Sequence, residues 1–382
     1  MAFKNKSISF ALLGALLAFA SCRDLALDPV FYTLSKEQPL SDDRGMPDGA
    51  TVHRMVELGS RYFAAANTLY TRTDGPSDTW TVITPPANAG LCNGLEAFNG
   101  SLYASFATGT GVGLYRLTPP DLVTWTKIDD LGAGSYAQVT MLKTTSLGTA
   151  TLFVATWDET LSQYALSYST SGDSGSYTVV SGGDWPVPAS SKLSIIDVAS
   201  DGNYYWVIVG NSLFRDDAGA GVGTFSLLSP QPPSSGTSYY GGLLYDSSVP
   251  RLYLSAGNGY LHSSADGDAP WTTSAVQRDA ENKNVLVYFT SWALPGSDNS
   301  PTGTVYVGTQ GQGYYRVPGG DVAGTLIRKP SSYSITALYR GALNSFFYDS
   351  SNARFFICTN GSGLWRGTDF AASIAEWTWK QE

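Results

Sequence analysis

Nucleophiles, bases and metal ligands are scarce in this chain. It holds two histidines, His53 and His262, and three cysteines, Cys22, Cys92 and Cys358. Any Ser-His-Asp arrangement must draw on one of those two histidines, and the set is too small for a His/Cys metal centre. Acidic pairs are the remaining ligands for a hard cation: Asp42-Asp43, Asp129-Asp130, Asp216-Asp217 and Asp266-x-Asp268. None has the alternating oxygen donors and terminal Glu of a calcium loop, so these aspartates read as turn formers. No metal and no cofactor are expected.

The elements that would position a site are suggested by composition. Of 382 residues only 14% are charged, against about 25% in an ordinary soluble domain. Forty-one Gly, 19 Pro, 10 Trp, 23 Tyr and 16 Phe point to many short strands joined by tight turns. The net charge of −9, with 23 basic residues spread along the chain, excludes phosphate-driven nucleic-acid binding.

An apolar triplet containing an aromatic recurs every 40 to 53 residues: Tyr62-Phe63-Ala64, Leu102-Tyr103-Ala104, Leu152-Phe153-Val154, Tyr205-Trp206-Val207, Leu252-Tyr253-Leu254, Val305-Tyr306-Val307 and Phe355-Phe356-Ile357. A second strand follows most copies, as in Leu114-Tyr115-Arg116 or Leu364-Trp365-Arg366, then a last one such as Trp125-Thr126 or Trp377-Thr378. An apolar strand precedes each unit, as at Val139-Thr140-Met141, Ile195-Ile196-Asp197 and Val285-Leu286-Val287. Two copies share a longer match, Tyr245 to Arg251 with Tyr348 to Arg354. Four strands repeated seven times predict an all-β, seven-bladed β-propeller with four antiparallel strands per blade. The last strand runs almost to the end of the sequence, so closure of the ring should use an N-terminal segment, either Val30 to Leu34 or the stretch from Val52 to Leu58. Cys92 and Cys358 then fall in blades two and seven, too far apart to bridge, and read as small buried apolar residues.

Gly113-Leu114-Tyr115-Arg116 running on to Trp125-Thr126-Lys127-Ile128 resembles the core of the sialidase-type repeat, also found in photosystem assembly factors. Ser264 to Trp271 is similar to the Asp-box of that family, with Asp268 in place of a Gly, and Ser171 to Tyr177 is similar to its first half. The resemblance covers nearly all of residues 52 to 382 and implies the fold. For a sialidase it would also imply three arginines around a carboxylate, a Tyr/Glu nucleophile pair and an Asp acid/base. Arg116, Arg215, Arg316 and Arg366 occupy one repeat position in four units, which explains them as structural residues at blade edges. Glu57 and Glu96 are the only glutamates expected in innermost strands. The chain is therefore read as non-catalytic, with a sialidase-like carbohydrate-active enzyme as the alternative.

Seven tryptophans fit repeat positions, whereas Trp157, Trp185 and Trp292 fit none. In propeller loops these three would stack on sugars or anchor a peptide, or else cap the apolar end of a blade.

The first residues carry an address. Lys4 and Lys6 precede the apolar run Ile8 to Ala20, which ends in Phe19-Ala20-Ser21-Cys22. The run is too short for a bilayer span of about 20 residues and reads as a secretion signal. Its last four residues resemble the bacterial lipobox, which implies lipidation of Cys22 and membrane anchoring. The domain layout is thus a signal over 1–21, a lipidated tether over 22–50 and a propeller over 51–382. Arg23 and Asp24 imply outer-membrane delivery. The expected partners are an envelope protein or a glycan, the chain acting as a monomer or within a hetero-complex.

Overall fold

The computed structural model describes residues 44 to 382 except 48, 76–77, 130, 132–137, 160–161, 187–192, 217–221, 234–239, 257–258, 266, 268–269, 275–286, 294–303, 325, 330–335 and 372–375. Blade 1 is β1 (Arg54–Leu58), β2 (Arg61–Ala65), β3 (Leu69–Thr73) and β4 (Thr81–Ile83). Blade 2 is β5 (Cys92–Phe98), β6 (Ser101–Phe106), β7 (Gly113–Leu117) and β8 (Thr126–Ile128). Blade 3 is β9 (Gln138–Leu147), β10 (Thr149–Asp158), β11 (Gln163–Ser169) and β12 (Thr178–Val179). Blade 4 is β13 (Ile195–Ser200), β14 (Tyr205–Val209), β15 (Ser212–Asp216) and β16 (Phe225–Leu227). Blade 5 is β17 (Tyr240–Asp246), β18 (Arg251–Ala256), β19 (Leu261–Ser264) and β20 (Thr272–Thr273). Blade 6 is β21 (Phe289–Ala293), β22 (Val305–Thr309), β23 (Tyr314–Val317) and β24 (Ile327–Lys329). Blade 7 is β25 (Ala342–Asp349), β26 (Arg354–Asn360), β27 (Leu364–Ala371) and β28 (Glu376–Gln381). Each blade is a meander of consecutive antiparallel strands, and the seven form a β-propeller.

The recurring apolar triplets are the second strands. Residues of β14 and β22 are buried on both faces, because each blade is covered by a neighbour on either side. One apolar cluster fills each seam. Phe153 and Leu166 of blade 3 pack on Val198 and Val207 of blade 4, for example, and Tyr306 of blade 6 packs with Phe355 and Trp377 of blade 7. Burying one such side chain contributes about 1.5–3 kcal/mol. In blade 6 the innermost strand begins at Phe289, later than the expected Val285 to Val287. Val285 and Leu286 lie outside the described residues, and Val287 is apolar because it is buried in the seam with Tyr253 and Phe289.

The matched segments Tyr245 to Arg251 and Tyr348 to Arg354 make the same hairpin. Asp246 pairs with Arg251 across one turn and Asp349 with Arg354 across the other. Each aspartate accepts a backbone N–H inside its turn, from Ser248 and Asn352 respectively.

The ring closes without exchanging a strand, since β25 to β28 form a complete sheet. Of the two proposed clasps, Val30 to Leu34 lies outside the described residues. The chain around Val52 does dock on blade 7: Val52 N donates to Thr359 O at 2.9 Å and Gly363 N donates to Ala50 O at 2.9 Å. Met46 and Ala50, within the stretch read as tether, are buried in the cluster shared by blades 7 and 1. Cys92 and Cys358 are free and buried in separate seams, where desolvation pushes both thiols up to about 12.

Candidate functional site

All seven innermost strands converge on a recess of about 390 Å³ at the ring centre, within the range of small-molecule sites. Six of these strands carry a β-bulge at one level. Pairing with the second strand slips by one residue at Asn93, Thr140, Ile196, Gly241, Thr290 and Asn344. In blade 1 His53 stands at this level, just before β1. These seven residues all line the recess. A bulge leaves one residue out of the ladder and re-aims it, so the repeat turns one position per blade toward the axis.

Three of these residues stitch their blade to the next. Asn93 Nδ2 donates to Val139 O at 3.2 Å, Thr290 Oγ1 to Leu343 O at 2.5 Å and Asn344 Nδ2 to Val52 O at 2.8 Å. The acceptor in each case is the carbonyl just before the corresponding residue of the following blade. At Gly241 the backbone itself makes that approach: a β-carbon there would lie 2.5 Å from Phe289 O, so the position requires glycine.

Three charged side chains line the recess, Arg54, Lys143 and Asp197, and each is ion-paired. Arg54 of blade 1 pairs with Glu96 of blade 2, and Lys143 Nζ of blade 3 lies 2.5 Å from Asp197 of blade 4. Asp197 also accepts Val198 N at 2.8 Å and, through its other oxygen, Leu243 N of blade 5 at 2.8 Å. Burial raises the Glu96 carboxyl above its usual range, opposed by Arg54 and Lys143. Burial also holds the His53 imidazole below its usual range, which favours its neutral form. The recess is a neutral wall of amides, hydroxyls and internally paired ions. Among the described residues no His/Cys/Asp/Glu cluster could hold a metal ion.

The four arginines noted in the sequence, and Arg72 at the same position of blade 1, lie elsewhere. Arg72, Arg116, Arg215, Arg316 and Arg366 sit on third strands, each directly opposite the aromatic of the second-strand triplet: Tyr62, Tyr103, Trp206, Tyr306 and Phe356. The Arg72 guanidinium is 5.0 Å from the Tyr62 ring, that of Arg215 5.4 Å from Trp206 and that of Arg316 5.7 Å from Tyr306. These are cation–π contacts inside the blades, and none of the five arginines lines the recess.

The three tryptophans outside the repeat pattern are not brought together. Trp157 ends up on β10, half-buried and 4.7 Å from the Tyr164 ring. Trp185 belongs to the core between blades 3 and 4, against Phe214 and Phe225. Trp292 lies on β21, packs on Tyr253 and lines the recess. Of the three, then, only Trp292 reaches the centre. Cys22, Asp266 and Asp268 lie outside the described residues. Arg54, Asn93, Lys143 and Asn344 were not marked by any motif, and Asp197 was marked only as the end of an apolar first strand.

The extracellular domain of BT4673 from B. thetaiotaomicron is similar in fold, with a TM-score of 0.59 and 13% identity over 90% of this chain and 47% of that one. This chain thus spans about half the length of that domain. YCF48 from Cyanidioschyzon merolae superposes with a TM-score of 0.54 at 13% identity, over 84% of this chain and 96% of that one. A structure of YCF48 bound to D1 peptide gives 0.55 and 13%, over 86% and 95%. The likeness is one of fold. No protein-family model and no curated protein matches the sequence.

Proposed function

We propose that this chain is a lipid-anchored envelope protein whose propeller binds a protein or glycan partner without catalysing a reaction on it. The observation that carries this reading is the central recess: seven strands converge on it, its charges are paired, and the repeat arginines lie on third strands away from it. A sialidase-like site would need several arginines free to hold a substrate carboxylate. Propellers of similar fold include an extracellular bacterial domain and YCF48, which is bound to D1 peptide in one structure. The anchor rests on the sequence from Lys4 to Cys22, and residues 23–43 then separate the lipid from the ring.

Three measurements, two in cells and one on the purified chain, test the reading. A clickable fatty acid should label the wild-type chain and leave Cys22→Ala unlabelled. Photo-crosslinking should capture a defined envelope partner. The purified chain should not hydrolyse fluorogenic sialosides or neutral glycosides. Labelling that survives Cys22→Ala would remove the anchor, and turnover abolished by a recess substitution would replace binding with catalysis.

A further inference from the structure

Blade 5 breaks the pattern around the recess. It alone among the seven innermost strands has glycine both at the bulge and immediately after it, Gly241 and Gly242. Asp197 of blade 4 and Trp292 of blade 6 close over this point of blade 5, so that both line the recess and Gly242 does not. A β-carbon on Gly242 would lie 3.4 Å from Trp292 Cδ1, 3.5 Å from Trp292 Nε1 and 3.5 Å from Asp197 Oδ2, in ordinary contact with all three. Trp292 Nε1 is buried here without a hydrogen-bond partner, as is Ser291 Oγ on the same strand. An unpaired buried donor costs about 1–3 kcal/mol, so the indole N–H of this recess-lining side chain is a donor left for a ligand hydroxyl, reached by a small turn of the ring.

We infer that the recess is a binding site for a neutral saccharide of one or two rings, with one hydroxyl accepting from Trp292 Nε1 beside Asp197. The inference rests on the binding reading above and assigns it a ligand class. Its chemistry follows from the wall. Polar groups from blades 1, 2, 3, 4, 6 and 7 surround the recess: Arg54, Asn93, Lys143, Asp197, Thr290 and Asn344. A sugar ring projects hydroxyls around its whole circumference and matches such a circle, whereas an extended peptide presents its polar groups along a line. Ion pairing fixes the charged side chains as rigid donors and acceptors while cancelling their net charge, so an acidic ligand gains little and brings an uncompensated charge into a confined space. Trp292 adds an apolar edge for the C–H groups of the ring.

The test uses the purified full chain in a detergent without a sugar headgroup. Titration calorimetry and saturation-transfer NMR are run with methyl glucoside, methyl galactoside, methyl mannoside, N-acetylglucosamine, their β-1,4-linked disaccharides and, as the acidic comparison, N-acetylneuraminic acid. At least one neutral sugar should bind saturably at one site, with Kd of about 1 mM or tighter and at least about tenfold tighter than the acidic sugar. Gly242→Leu drives its side chain against Asp197 and Trp292, displaces both from the recess wall and should weaken binding at least about tenfold. Trp292→Phe keeps an aromatic ring and removes the pyrrole with its N–H; it should weaken binding with unchanged circular dichroism, which keeps the test valid if Gly242→Leu misfolds. Absence of saturable binding by every neutral sugar overturns the inference. So does wild-type affinity in both variants, or preference for the acidic sugar. If no sugar binds while crosslinking still captures a protein partner, the saccharide assignment fails and the binding reading stands.

Discussion

Arg72 and Glu382 form an ion pair at 3.1 Å in which neither side chain reaches solvent, and it joins the third strand of blade 1 to the residue following the last strand of blade 7. Arg366 of blade 7 approaches the same carboxylate at 2.9 Å, Arg44 at 3.8 Å, and Trp80 Nε1 donates to it at 3.1 Å. The Arg72 guanidinium is held among the rings of Tyr62, Trp80 and Phe356. One carboxylate therefore gathers the entry segment, blade 1 and blade 7 at the seam where the chain meets itself.

Removing that charge leaves buried guanidiniums facing each other. Glu382→Gln should lower the unfolding free energy by about 3–5 kcal/mol, the range for breaking a buried pair. Urea unfolding with fluorescence detection measures it. A loss under about 1 kcal/mol would mean that the carboxylate does not close the ring.

Asp216 offers a pH signature. Burial lifts its carboxyl from 3.8 to about 6, with Asp201 adding to the rise and the Tyr205 N–H, at 2.6 Å, and Arg215 opposing it. The folded chain holds this proton more tightly than the unfolded one, so its contribution to stability grows as pH falls through 6 and levels off below 3.8. Asp216→Asn should raise the melting temperature at neutral pH and flatten the profile between those values. His262 acts the other way: burial lowers its imidazole from 6.5 to about 4, so its contribution is lost as pH falls across that interval. Comparing Asp216→Asn with wild type at each pH isolates the carboxyl.

Trp185 and Trp157 should separate cleanly. Trp185 is a core side chain, and Trp185→Ala should cost about 3–5 kcal/mol. Half-buried Trp157 should cost clearly less on truncation. Equal losses in thermal unfolding would contradict the placement of Trp185 in the seam.

Two glycines test the inter-blade turns. Gly267, at φ +77°, packs flat on the blade 4 aromatic, and a β-carbon would fall 2.3 Å from the Trp206 ring. Gly172, at φ +79°, stands in the same relation to Tyr103, 2.0 Å from its hydroxyl oxygen. Either change to Ala combines an unfavourable backbone angle with an overlap and should destabilise by more than about 1 kcal/mol. Gly148, at φ +75° with no neighbour within 4 Å, is the control: Gly148→Ala carries the backbone cost alone.

The second strands were legible because burial on both faces makes them continuously apolar, and a triplet such as Val305-Tyr306-Val307 survives every loop length. The first strands were legible only in part, and the site is built from them: Val139-Thr140-Met141 and Ile195-Ile196-Asp197 fall on β9 and β13, whereas β21 begins at Phe289, after the expected Val285 to Val287. Two residues separate β1 from β2 and β5 from β6, whereas β21 and β22 are separated by the long stretch after Ala293. An alignment anchored on the triplets therefore holds register as far as Asn93 and loses it before Thr290 or Asn344. Trp292 shows the same effect, since a residue read as a loop anchor lies on the innermost strand.

By itself the sequence determined the repeat, the number of blades, the antiparallel four-strand unit and the structural standing of the repeat arginines, because all of these follow from local patterns of burial and turn formation. Only the tertiary structure decided which polar residues share a wall. Arg54 meets Glu96, Lys143 meets Asp197 and Glu382 meets Arg72 across blade boundaries, and such pairs depend on how neighbouring sheets pack around the ring. Local sequence sets each sheet; closure of the ring sets which charges meet.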